Sequence, residues 1–162
     1  MGPPRRGQPS RRVGGHEARD RVDAPARGGA IVNTSSGAGV KGFAGQAAYA
    51  ATKHGGIGLT KSAALDYAGQ DVRVNAICPG MLWTRAWETM ALGLKQVVPA
   101  FKSLEPRQIF LEHIRKLVPM GAEQTPEDVG RLTAFLCGPG GRNLTGQAIT
   151  LDGGPLLRTG TG

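Results

Sequence analysis

Cysteine is almost missing from this 162-residue chain: Cys78 and Cys137 stand alone. Two isolated thiols exclude a disulfide framework and a cysteine-based zinc site. With no cross-links to maintain, a reducing cytoplasm is the default compartment. Aromatic residues are equally scarce, at 5%. Any core is therefore built from Ala, Val, Ile and Leu, which the 40% hydrophobic content allows. No apolar run approaches the roughly 20 residues of a membrane span. No apolar stretch near Met1 resembles a secretory signal, so export is not expected.

Basic residues exceed acidic ones, 20 to 12, for a net charge of +8. Half of that excess lies in residues 1–30, where seven Arg face only Glu17, Asp20 and Asp23. The rest of the chain is mildly basic and does not point to a nucleic-acid-binding core. Residues 1–28 are dominated by Gly, Pro and Arg and show no helical or strand period. Such a segment buries too little apolar area to offset its ordering entropy, so a disordered tail is expected. A phosphate-contacting arm is the alternative for this segment, opposed by the acids interleaved from Glu17 onward.

From Gly29 the pattern changes. Ala30–Thr34 is a short β-branched strand. Ala47–Ala68 is an Ala-rich helix with Gly69 as its stop. Val72–Ile77 alternates as a second strand and runs into Pro79-Gly80. Thr125-Pro126-Glu127-Asp128 is a helix start: a capping hydroxyl, a proline suited to the first turn, and acids at the positive end. Val129, Leu132, Phe135 and Leu136 form its apolar stripe, and Ala148–Leu151 is a last strand. Alternating strands and helices imply an α/β fold with a parallel sheet and right-handed crossovers.

Tyr49 and Lys53 stand at i and i+4 on the Ala-rich helix and share one face. Alone, this is an ordinary surface pair. Its chemistry is specific all the same, because an ammonium near a phenol favours the phenolate, which can exchange a proton with an alcohol or carbonyl oxygen. Ser36 lies thirteen residues earlier at a strand end, where α/β sites form. A hydroxyl there can stabilise charge on a substrate oxygen. It is also an ordinary turn serine of Thr34-Ser35-Ser36-Gly37.

Taken in order, the stretches IVNTSS, GQAAYAATK, VRVNAICPG, PMG, TPEDVG and LTGQAITLDGG resemble the short-chain dehydrogenase/reductase family over roughly residues 29–154. The resemblance implies a Rossmann-like, doubly wound parallel sheet, present only as its last three strands and their helices. It implies NAD or NADP as cofactor and a small alcohol or carbonyl substrate, with no membrane partner. Tyr49 would be the general acid/base, and Lys53 would assist it and hydrogen-bond the nicotinamide ribose. Ser36 would orient the substrate oxygen. The Pro79–Thr84 loop would close over the nicotinamide. In that loop Pro79 and Gly80 would border the ring, Leu82 would bind the carboxamide through its backbone, and Thr84 would contact the carboxamide or a nearby phosphate. Thr84 also suits a helix N-cap before Arg85. Residues 81–118, carrying Trp83, Trp87, Met90, Leu94, Phe101 and Phe110 on two short helices, would form the substrate lid. Asn143-Leu144-Thr145 matches a glycosylation triplet by chance.

The same resemblance exposes a gap. The family opens on a strand, a glycine-rich turn and a helix that holds the pyrophosphate, and nothing of that kind precedes Gly29. Gly14-Gly15 has no strand before it, and Gln8 stands where a helper asparagine is expected. Read one base later, codons for residues 8–29 permit NLRGVW…MKHEI..M, which resembles the family's missing helix. The expectation is therefore a truncated copy whose residues 1–28 are an out-of-frame translation, with impaired NAD(P)H binding and poor solubility. Homo-oligomers of the family pair the lost helix with the Tyr49 helix, so assembly is expected to be weakened. A catalytically silent fragment, or an interaction module with a basic nucleic-acid-contacting tail, is the competing reading.

Overall fold

A computed structural model of the chain describes residues 28–158. The Arg-rich segment, apart from Gly28, lies outside the described residues, as do residues 159–162 and every expectation attached to them. Three parallel strands form the sheet in the order β1-β2-β3: β1 is Gly29–Thr34, β2 is Val72–Pro79 and β3 is Ala148–Leu151. Ile31 pairs with Val74, and Ile77 with Ile149. Helix α1, Ala47–Tyr67, connects β1 to β2. Three helices connect β2 to β3: α2, Arg85–Val97; α3, Pro106–Leu117; and α4, Pro126–Cys137. The α/β reading and its three parallel strands hold. Among the described residues, no helix is long and apolar enough to cross a membrane.

β2 shows why its sequence reads imperfectly. The stretch VRVNAI suggests one wet and one dry face, yet every residue from Val74 to Pro79 is buried. A central parallel strand is covered on both sides, so alternation gives way to continuous burial. β2 also continues two residues beyond Ile77. Pro79, which has no N–H to donate, is tolerated because it is the last residue of the strand. Val72 and Val74 face α1, where Ala63, Ala64 and Tyr67 meet them together with Ile31. Arg73 points the other way and caps the C-terminal end of α4. Its guanidinium donates to the carbonyls of Leu136 (2.5 Å), Gly141 (2.8 Å) and Cys137 (3.2 Å).

Polar side chains complete the frame. Thr60, fully buried on α1, donates to Gly56 O and accepts from Asn33 Nδ2 at 2.9 Å, which ties the helix to β1. Asn75, 1% exposed, donates to Leu144 O and accepts from Gln147 N, fixing the approach to β3. Thr145 accepts from Val74 N at 3.0 Å, a second tie between β2 and the approach to β3. The end of α1 departs from expectation. The helix stops at Tyr67 and tightens into a 3-10 turn over Ala68–Gln70. Asp71, with φ 59°, takes the left-handed position expected near Gly69. The start of α4 is as read: Thr125 and Asp128 form a reciprocal capping box.

Candidate functional site

The C-terminal ends of β1 and β2 carry the candidate residues. β1 passes straight into Ser35-Ser36, and Ser35 N donates to Ile77 O at 2.8 Å, which holds the strand end against β2. Ser35 is buried and its hydroxyl donates to the Lys53 carbonyl at 2.9 Å. The serine that sequence reasoning passed over is thus a brace between β1 and α1. Gly39 makes the close approach possible, since a Cβ there would stand 2.4 Å from Ser35 Oγ and 2.9 Å from Lys53 O. Ser36 is half-buried and caps the short 3-10 turn Gly37–Gly39, its oxygen accepting from Ala38 N at 3.2 Å. That bond uses a lone pair and leaves the hydroxyl proton free to be donated.

Lys53 reaches from α1 to the strand end, where its Nζ donates to Thr34 O at 3.3 Å. The same ammonium lies 5.6 Å from the centroid of the Tyr49 ring, one helical turn away. Cys78 is buried in β2. Burial pushes its thiol pKa up. Interactions with the Ser35 side chain and the Ser36 backbone, and the Lys53 charge, pull it partly back.

A cavity of about 630 Å³ opens beside this cluster. Ser36, Pro79 and Gly80 line it, together with Trp87, Met90 and Leu94 of α2. Tyr49 and Lys53 are not among its lining residues, and Tyr49 is 48% exposed. Leu82 and Thr84 also stand outside the lining. Leu82 pairs with Gln124 in an isolated parallel bridge, but the hydrogen bond of that pairing, Gln124 N to O at 3.1 Å, is made by Met81. Thr84 is the N-cap of α2, accepting from Trp87 N at 3.4 Å. Gly80 is required sterically, because a Cβ there would fall 2.6–2.8 Å from Gln124 Oε1 and Asp152.

Residues 81–118 divide between packing and lining. Phe110, Ile114 and Val118 are buried together, with Met81, Trp83 and Trp87 against them. Arg107 stacks over Trp83 and Phe110 and forms an ion pair with Glu123. Sequence reasoning missed Lys41, His113, Asp152 and Arg158, all of which line the cavity. Asp152 alone had a local signal, the turn composition of Asp-Gly-Gly-Pro. Its carboxylate accepts from Gly154 N at 2.8 Å and Leu156 N at 3.2 Å.

The donor set suits the nicotinamide end of a dinucleotide: an ammonium with N–H groups beyond its bond to Thr34, a phenol beside it, and a hydroxyl at the strand end. Among the described residues, no glycine-rich turn leads from a strand directly into a helix N-terminus that could take a pyrophosphate. No group of three or more His, Cys, Asp or Glu that could hold a metal occurs among them either.

Known proteins give the arrangement its context. A family described as enoyl-(acyl carrier protein) reductase matches residues 16–155, starting within the segment set apart above as tail. A diacetyl reductase [(S)-acetoin forming] of Staphylococcus aureus is 37% identical over 131 residues, which is 81% of this chain and 49% of that protein. A 3-oxoacyl-[acyl-carrier-protein] reductase of Thermotoga maritima is 38% identical over 131 residues, covering 81% and 47%. Among solved structures, 4-hydroxyisoleucine dehydrogenase complexed with NADH superposes with a TM-score of 0.64 at 27% identity, covering 88% of this chain and 52% of that one. An actinorhodin polyketide ketoreductase with NADPH gives 0.72 at 29%, covering 86% and 51%. The chain spans about half the length of the curated relatives it matches. With the sheet, the strand-end serines and the Tyr49–Lys53 helix arranged as described, the chain belongs to the short-chain dehydrogenase/reductase family.

Proposed function

We propose that the chain serves an NAD(P)-dependent oxidoreductase acting on an alcohol or carbonyl substrate, with Ser36, Tyr49 and Lys53 as the reacting constellation. When bound, the nicotinamide supplies or accepts the hydride; the protein supplies position and the proton. Tyr49 exchanges that proton with the substrate oxygen as general acid/base. Lys53 stabilises the phenolate and offers its remaining N–H groups to a ribose hydroxyl. Ser36 donates its free proton to the substrate oxygen and stabilises charge developing there. The backbone from Pro79 to Leu82 and the hydroxyl of Thr84 border the nicotinamide ring and its carboxamide.

The observation that carries this reading is the position of Lys53, anchored on Thr34 O with its ammonium one helical turn from the Tyr49 ring. Tyr49 lies outside the cavity that Ser36 lines, so catalysis requires the phenol to swing toward Ser36 when substrate and cofactor bind. The named substrates of the relatives, diacetyl and 3-oxoacyl groups, set the trial compounds. The test is NADH or NADPH oxidation by diacetyl and by a 3-oxoacyl thioester, at cofactor concentrations high enough to offset weak pyrophosphate binding. Turnover that falls by roughly 10²-fold or more in Tyr49→Phe is expected from the loss of a general acid. Turnover unchanged by that substitution contradicts the assignment.

A further inference from the structure

The cavity has a charge distribution that hydride transfer does not require. Trp87, Met90, Leu94, Leu117 and Leu156 give it apolar walls. Lys41 and Arg158 line it too, and both are exposed, which sets them at its mouth, while Ser36 is half-buried. Asp152 is the one carboxylate in the lining. It is 8% exposed, backbone N–H groups bond both of its oxygens, and it forms no ion pair with Lys41 or Arg158. Among the described residues, neither Lys41 nor Arg158 forms an ion pair.

Hydrogen bonds fix the two cations without neutralising them. Lys41 Nζ donates to Arg158 O at 3.2 Å, and Arg158 Nη1 donates to Lys116 O at 2.8 Å. The rim therefore joins the loop after β1, the C-terminal segment and the last turn of α3. Two N–H groups of the ammonium remain, and so do Nη2 and Nε of the guanidinium. Charge-assisted bonds to an anion are the strongest use of such donors, and the planar fork of Arg matches a carboxylate or a phosphate.

We propose that the cavity selects a substrate with an apolar body and an anionic group, a carboxylate or a phosphate, held at the mouth by Lys41 and Arg158 while its reacting oxygen lies at Ser36. This rests on the reading of the cavity as the substrate site.

Trp83 and Trp87 are the two tryptophans of the chain, and Trp87 lines the cavity. Tryptophan fluorescence therefore reports occupancy without cofactor or turnover. The full chain is titrated at neutral pH and low salt with octanoate, octyl phosphate and the neutral octanamide. Two charge-assisted contacts at an exposed rim predict that at least one anion binds about tenfold tighter than the amide; which anion does so tells carboxylate from phosphate. Lys41→Gln and Arg158→Gln are each expected to remove most of that preference and leave octanamide binding in place, whereas Lys41→Arg retains it. Equal binding of acid and amide, no response to any probe, or a parallel loss of octanamide binding in the Gln variants overturns the proposal. NAD(P)H oxidation is followed separately. Anion-selective binding without turnover contradicts the oxidoreductase reading and supports the selectivity, while turnover of neutral ketones with no anion preference does the opposite.

Discussion

Lys53 donates from Nζ to the carbonyl oxygen of Thr34 at 3.3 Å, joining α1 to the very end of β1. The bond holds one ammonium at the junction between the helix that carries Tyr49 and the loop that carries Ser36. Lys53→Met keeps the apolar stem and deletes the charge. The expected result is a fall in turnover of about 10²-fold, with stability lowered by no more than about 1 kcal/mol because the bond is partly solvated. Steady-state rates and a urea melt on the same preparation separate the two effects.

Gly80 sits where β2 ends against Asp152. A methyl group there would overlap Gln124 Oε1 and the Asp152 backbone at 2.6–2.8 Å. Gly80→Ala is expected to destabilise the fold by about 1–3 kcal/mol, the usual range for overpacking. The midpoint of chemical unfolding measures it, and an unchanged midpoint would show that the neighbouring segment yields freely.

Asp128 gives a pH dependence of known sign. Hydrogen bonds from the Thr125 backbone and hydroxyl, and then from Arg131, hold its carboxylate below the ordinary value of 3.8. A lowered native pKa contributes stability that is complete above about 3.8 and is lost as pH falls through the native value. The first turn of α4 should therefore fray only in that acidic window. Hydrogen exchange at the Thr125 amide, which donates to Asp128 Oδ2 at 2.8 Å, reports it. Asp128→Asn is expected to abolish the pH dependence.

Cys78 is buried with its thiol pKa raised, whereas Cys137 is exposed. Thiolate is the reacting form, so iodoacetamide near neutral pH should add one label to the folded chain, at Cys137, and two in urea. Mass spectrometry of a digest locates the label. Modification of Cys78 under native conditions would show that the strand-end cluster opens.

Much of this was legible because it is local. Ala30–Thr34, the Ala-rich helix, the capping signature at Thr125 and the short strand at Ala148–Leu151 declare themselves through propensity and turn chemistry. The i, i+4 placement of Tyr49 and Lys53 follows from helix geometry alone. What the sequence hid depends on tertiary meetings. Arg73 finds its carbonyls 63 to 68 residues away, and Lys41 meets Arg158 across 117 residues. No periodicity signals either. Adjacent serines are also indistinguishable by pattern, and only burial separates Ser35, the brace, from Ser36, which faces the cavity. Asp71 took the left-handed turn in place of Gly69 because the helix tightened into a 3-10 turn before ending.

In the proposed function Tyr49, Lys53 and Ser36 serve hydride transfer to a carbonyl carbon. Its most direct test is a single-turnover reaction with NADH or NADPH deuterated at the transferring position, followed by mass analysis of the alcohol formed from diacetyl. Deuterium on the carbinol carbon is expected with the wild-type chain, and a loss of roughly 10²-fold or more in rate with Tyr49→Phe. Deuterated alcohol formed equally fast by Tyr49→Phe, or none formed by the wild-type chain at saturating cofactor, would contradict it.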